Sequence, residues 1–135
     1  MIAGLDTSIL VRVLTGEPRD LALAALSYIL ERKKAGDRVL VSDWVFAEAY
    51  YALQHHYGAS KKETLDALSD FLAHSGVEGT GDVAAVLATP SLESAKPGFI
   101  DRVIHRNYLR SGAEEVATFE KAAAKLPHVR VLIAG

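Results

Sequence analysis

Asp6, Glu48, Asp101 and Glu120 stand in four separate segments of the chain. Carboxylates far apart in sequence that a fold could bring together are what a hard divalent cation requires, because Mg²⁺ and its relatives take oxygen ligands. Each also has a plain structural explanation. Asp6 follows the apolar run Met1-Ile2-Ala3-Gly4-Leu5 and could simply cap the helix behind it. Asp101 and Glu120 open helical stretches, where a negative charge complements the helix dipole. Glu48 is harder to assign that way. It sits mid-helix in Trp44-Val45-Phe46-Ala47-Glu48-Ala49-Tyr50-Tyr51, bordering the buried stripe, where an ionised carboxylate needs a cation or a donor.

Other reactive groups offer less. Arg102, Arg106 and Arg110 recur every four residues and form either a basic rim for a polyanion or a solvated helix face. His105 follows Asp101 by four, so it could share that face and touch a substrate phosphate or give up a proton. His55 and His56 have no ligand spacing, and His74 and His128 look incidental. With no cysteine, disulfides, thiolate zinc sites and cysteine nucleophiles are excluded. Gly76, Gly79 and Gly81 are too sparse, and too far from any basic residue, for a phosphate loop.

The elements that must position these groups alternate between short apolar strands and helical patterns. Strands are expected at Ile2–Leu5, Val39–Val41, Val77–Thr80, Glu115–Thr118 and Val129–Leu132. Between them come helices over Thr7–Leu14, Pro18–Ala35 and Asp43–Tyr57, one opened by a Ser60/Glu63 capping box, one from Asp82 and one from Phe99. A short helix should start at Glu120, and Thr89–Gly98 reads as a loop. Strands separated by helices imply an α/β fold, a three-layer α/β/α sandwich around a central, mainly parallel sheet of four to five strands. In such folds ligands bind at the carboxyl ends of the strands, and Asp6 and Glu120 each lie just past one.

At 135 residues, 1–135 reads as a single domain, with an apolar fraction of 50% and a charged fraction of 24%. The first apolar run is too short for a signal peptide, and no run approaches the ~20 residues of a membrane helix. A soluble, cytoplasmic protein is expected. A net charge of −2 argues against gripping nucleic acid by bulk electrostatics, though not against a local basic rim. Trp44, Phe46, Tyr50, Tyr51 and Tyr57 are more aromatics than one helical stripe buries, so some should face a partner.

Leu5-Asp6-Thr7-Ser8-Ile9-Leu10 resembles the opening motif of the PIN-domain nucleases, including the VapC-type toxins. The resemblance continues through Ala47-Glu48-Ala49 with Leu53, Gly98-Phe99-Ile100-Asp101-Arg102-Val103-Ile104, Thr118-Phe119-Glu120-Lys121 and Leu126-Pro127. It implies a PIN-like fold in which Asp6, Glu48 and Asp101, with Glu120 as the fourth carboxylate, hold one or two Mg²⁺ or Mn²⁺ ions. It further implies that a metal-bound water attacks an RNA phosphodiester. Ser8 or Thr7, and more weakly Thr118, would supply hydroxyls near the metal, and Arg102, His105 and Arg106 would meet the substrate. Where the family usually has aspartate after Thr-Phe, this chain has Glu120, whose longer side chain either reaches the second metal position through a water or misses it. As partners, the resemblance implies a second copy in a homodimer and a cognate antitoxin laid across an apolar groove. The competing reading is a PIN-like module without catalysis that binds RNA or protein. A phosphoacceptor receiver domain is excluded because no lysine ends the last strand.

Overall fold

The computed structural model describes residues 1–134. Among them are five strands, all paired in parallel, and six α-helices. The chain divides into two compact units, Met1–Ala84 and a second from Ala85 onward.

In the first unit, β1 (Ile2–Gly4), β2 (Arg38–Val41) and β3 (Glu78–Gly79) form a parallel sheet in the order β1-β2-β3. Between β1 and β2 run α1 (Thr7–Thr15) and α2 (Arg19–Lys34), and between β2 and β3 run α3 (Asp43–His55) and α4 (Lys61–His74). Each parallel pair needs such a crossover, because its strands must start from the same edge. α1 packs on α2 and α3, and α3 packs on α4. Leu10, Phe46 and Leu68 are fully buried, with Val39 and Val41 of β2. Burying a side chain of this size stabilises the fold by about 1.5–3 kcal/mol.

The helix ends follow the local chemistry. Ser60 Oγ accepts from Glu63 N at 3.0 Å, while Ser60 N donates to Glu63 Oε1 at 2.8 Å, which completes the expected capping box of α4. Those hydrogen bonds, first the one from the Ser60 backbone, hold the Glu63 carboxyl below its ordinary range. Gly36, with φ of 80°, takes the left-handed conformation just past α2. Across β2 and β3, Arg38 grips Glu78 with two hydrogen bonds of 3.1 and 3.0 Å, and that pairing lowers the glutamate's pKa. Gly81 has a different role. A Cβ there would collide with the Asp43 carboxylate, which accepts hydrogen bonds from Asp82 N at 2.9 Å and Val83 N at 3.2 Å.

α5 (Val83–Leu87) carries the chain from the first unit into the second. Residues 89–98 form the expected loop, with one 3₁₀ turn at Leu92–Ser94 whose Leu92 is buried. α6 (Phe99–Arg110) follows, then β4 (Val116–Thr118) and β5 (Val129–Val131), paired with Val116 opposite Val129. The short helix expected at Glu120 is a 3₁₀ helix over Lys121–Lys125. The five strands thus stand where the sequence placed them, but as a three-stranded and a two-stranded sheet rather than one sheet of four or five. Local pattern selects strands. Which edges pair is decided by long-range contacts. No helix among the described residues is long and apolar enough to cross a membrane.

Candidate functional site

The first unit brings two of the four carboxylates into one hydrogen-bonded chain. β1 and β2 run parallel with Gly4 opposite Leu40, and Leu5 N extends the ladder to Leu40 O at 2.9 Å. Their carboxyl ends therefore emerge on the same edge, where α1 and α3 begin. Asp6 is the N-cap of α1: its side chain accepts from Thr7 N and its carbonyl from Ile9 N and Leu10 N. Ser42 caps α3 through Val45 N at 3.3 Å, which sets the rotation of the helix carrying Glu48. Thr7 joins the two, donating its hydroxyl to Glu48 Oε1 at 2.9 Å.

Two expectations change here. Glu48 is exposed rather than set at the core boundary, because Phe46, Ala49, Tyr50 and Leu53 supply the inner face of α3. The hydroxyl that meets a carboxylate is that of Thr7, whereas Ser8 is exposed on the next position of α1. The sequence offered both hydroxyls, and only the relative placement of α1 and α3 chose between them.

The second unit holds Asp101, Thr118 and Glu120 around a cleft of about 270 Å³ walled by Ile104 and Tyr108 of α6. Asp101 lies exposed in the first turn of α6, where the helix dipole favours its charge. Thr118 Oγ1 accepts from Glu120 N at 3.0 Å, and Glu120 Oε1 accepts from Ala122 N at 3.2 Å, capping the 3₁₀ helix. Glu120 thus does have the structural role considered for it, at the rim of the same cleft as Asp101.

His105 departs most from its expectation. Its ring lines the cleft but is buried, with Nε2 2.7 Å from Pro127 O. A carbonyl only accepts, so Nε2 carries the proton and pins α6 to the segment before β5. That makes His105 a packing residue rather than an exposed phosphate contact. Arg102 is half-buried and donates its Nε to Pro97 O at 2.6 Å, while Arg106 and Arg110 are exposed further along α6. The reading from sequence missed Ile104 and Tyr108 as cleft walls, although their spacing from Asp101 places them on its face.

Chemically, both units offer carboxylate and hydroxyl oxygen, a donor set that suits Mg²⁺ or Mn²⁺ and would not select a soft metal. Among the described residues, no three His, Asp or Glu side chains form a ready cage for an ion. Magnesium is held by one or two carboxylates and keeps several waters, and Asp6 and Glu48, both hydrogen-bonded to Thr7, are donors of that chemistry.

Compared with known families, the chain matches the PIN domain over residues 4–129. No curated protein and no solved structure matches it.

Proposed function

Because the chain belongs to the PIN domain family, whose members are generally nucleases, we propose that it is a metal-dependent endoribonuclease and the toxin of a toxin–antitoxin pair. The observation that carries this reading is the Thr7 bridge between Asp6 and Glu48 at the carboxyl edge of β1 and β2. That edge is where α/β folds bind ligands. We further propose that the two units act as one domain, since the family match runs through both.

In this reading Asp6, Glu48 and Asp101, with Glu120 as a weaker fourth, are the carboxylates that hold Mg²⁺ or Mn²⁺. When bound, the ion supplies an acidified water and neutralises charge building on the phosphodiester. The chain's own groups prepare for this. Thr7 fixes the Glu48 carboxylate by its hydrogen bond, so one oxygen is oriented before any ligand arrives. Asp6 is held by the first turn of α1, which limits its rotamers. Arg106, exposed on α6, is the proposed contact to phosphate oxygens.

The proposed partners are a second copy of the chain and a small antitoxin. The supporting feature is on α2, where Leu23, Leu26 and Leu30 form an exposed aliphatic stripe suited to packing against protein. The proposed setting is the cytoplasm. A second reading, a PIN-like binding module without catalysis, is favoured by one observation: Glu120 spends Oε1 on the Ala122 amide. The test is cleavage of a panel of structured RNAs with Mg²⁺ or Mn²⁺, with EDTA and Asp6→Asn as controls. Cleavage lost in both controls supports the nuclease. Absence of cleavage together with absence of metal binding supports the binding module.

A further inference from the structure

Among the helices, exposed large apolar side chains stand on α2, α3 and α6, and those of α2 and α3 differ in chemistry. On α2 they are mainly leucines. On α3 they are rings. Trp44, Glu48, Tyr51 and His55 stand at positions i, i+4, i+7 and i+11, a spacing that puts them on one helix face. Trp44 is 80% exposed and Tyr51 51%, and Glu48 and His55 are exposed with them. Phe46 and Tyr50, on the opposite side of the same helix, are buried at 0% and 6%. The core of this unit thus has its aromatics, and a second set is turned outward around the candidate carboxylate.

The outward rings are already arranged as flat surfaces. Tyr51 and His55 lie stacked, with centroids 5.9 Å apart and planes 18° from parallel. Tyr50 meets Tyr51 edge-on at 5.7 Å and 77°, which braces the outer ring from the buried side. Single exposed hydrophobics need no explanation, but a row of rings through a candidate catalytic position does.

We propose that Trp44, Tyr51 and His55 form a stacking platform for unpaired RNA bases beside Glu48. The inference rests on the nuclease reading and names how the substrate strand is held. A net charge of −2 gives little bulk attraction for a polyanion, which leaves a role for contacts that do not depend on phosphate. Stacking on aromatic side chains meets that need, since every base has a π face and sequence-tolerant binding follows. It also favours single-stranded or looped RNA, whose bases are free to splay onto a ring, over a duplex whose bases are stacked on one another. Bases held on this face would carry the backbone past Glu48 in the same row.

Trp44 is the only tryptophan in the chain, so its emission reads the platform directly. The experiment titrates the full chain, in EDTA so that no metal is bound, with a short single-stranded RNA and with an abasic strand of the same length. Quenching by the RNA and not by the abasic strand is expected. With a labelled RNA, Tyr51→Ala and Trp44→Ala should each weaken binding by about 5- to 150-fold, the equivalent of ~1–3 kcal/mol per stacked base. Trp44→Phe, which keeps a ring, should recover most of that loss. Equal quenching by the abasic strand would overturn the proposal in favour of a phosphate contact. Emission that changes with protein concentration alone, in step with an assembly that Trp44→Ala dissolves, would overturn it in favour of a protein interface. Metal-dependent cleavage without RNA quenching would refute the platform and leave the nuclease standing. Base-dependent quenching without cleavage would support the platform and refute the nuclease.

Discussion

The carboxylates of the two units are held in different ways. In the first, Asp6 caps α1 locally, and the Thr7 beside it reaches Glu48, more than forty positions on, by one long-range hydrogen bond. In the second, Asp101 is positioned by a helix start, and Glu120 by turns within two residues of itself. The Thr7–Glu48 contact serves no local turn or cap, whereas the contacts of Glu120 serve the backbone beside it. The Thr7–Glu48 contact should therefore matter more to function than to stability, and Glu120 more nearly the reverse.

The largest effect expected is on Asp6. Removing its charge in Asp6→Asn should lower the single-turnover rate of RNA cleavage by about 10³-fold, since a metal's stabilisation of the transition state is worth several kcal/mol. Asp101→Asn should match it. A rate within tenfold of the parent for either would remove that carboxylate from the site. Next comes the bridge. Thr7→Val should weaken Mn²⁺ binding by about 10- to 100-fold, as loss of an orienting contact does, and Thr7→Ser should restore it. Titration calorimetry reads this, and Thr118→Val should change far less. Equal losses at the two threonines would erase the contrast between the units.

Glu120 sharpens the comparison further. Glu120→Ala removes a cap and should lower unfolding free energy by about 1 kcal/mol in urea melts, with less loss of cleavage than at Asp6. A larger effect on rate than on stability would move Glu120 into the metal site. The smallest effect concerns pH. Arg38 depresses the Glu78 pKa, and the Ser60 amide and hydroxyl depress that of Glu63. A carboxylate with a folded pKa below its unfolded one stabilises the fold above the ordinary carboxylate range, about 4.3 for glutamate, and loses that contribution as pH falls through the folded value. Stability should therefore decline below about pH 4, less steeply in Arg38→Gln. Both groups lie in the first unit and outside the site, so cleavage at neutral pH should not change.

What was legible in the sequence was whatever short-range physics controls. Short apolar runs at Ile2–Leu5 and Val39–Val41 marked β1 and β2, Ser60 with Glu63 marked a capping box, and Gly36 ended α2 in a left-handed turn. The four carboxylates were visible through their residue types, and Asp6, Asp101 and Glu120 also through their places at element ends. Partition of the strands into two sheets was not legible, because strand pairing is set by long-range contacts rather than by local pattern. Helical spacing placed Glu48 near the buried stripe, yet the packing of α3 on α1 and α4 turned it outward with Trp44 and Tyr51. Thr7 and Ser8 are adjacent hydroxyls with equal claims until α3 arrives beside one of them. His105 read as a phosphate contact on the Asp101 face, whereas its ring is buried with Nε2 bonded to Pro127 O. The sequence by itself thus determined the elements, their caps and the inventory of candidate oxygen donors, since these follow from residue type and contacts within a few residues. Only the tertiary structure decided which hydroxyl orients which carboxylate and which aromatics face solvent, because those depend on groups far apart in the chain.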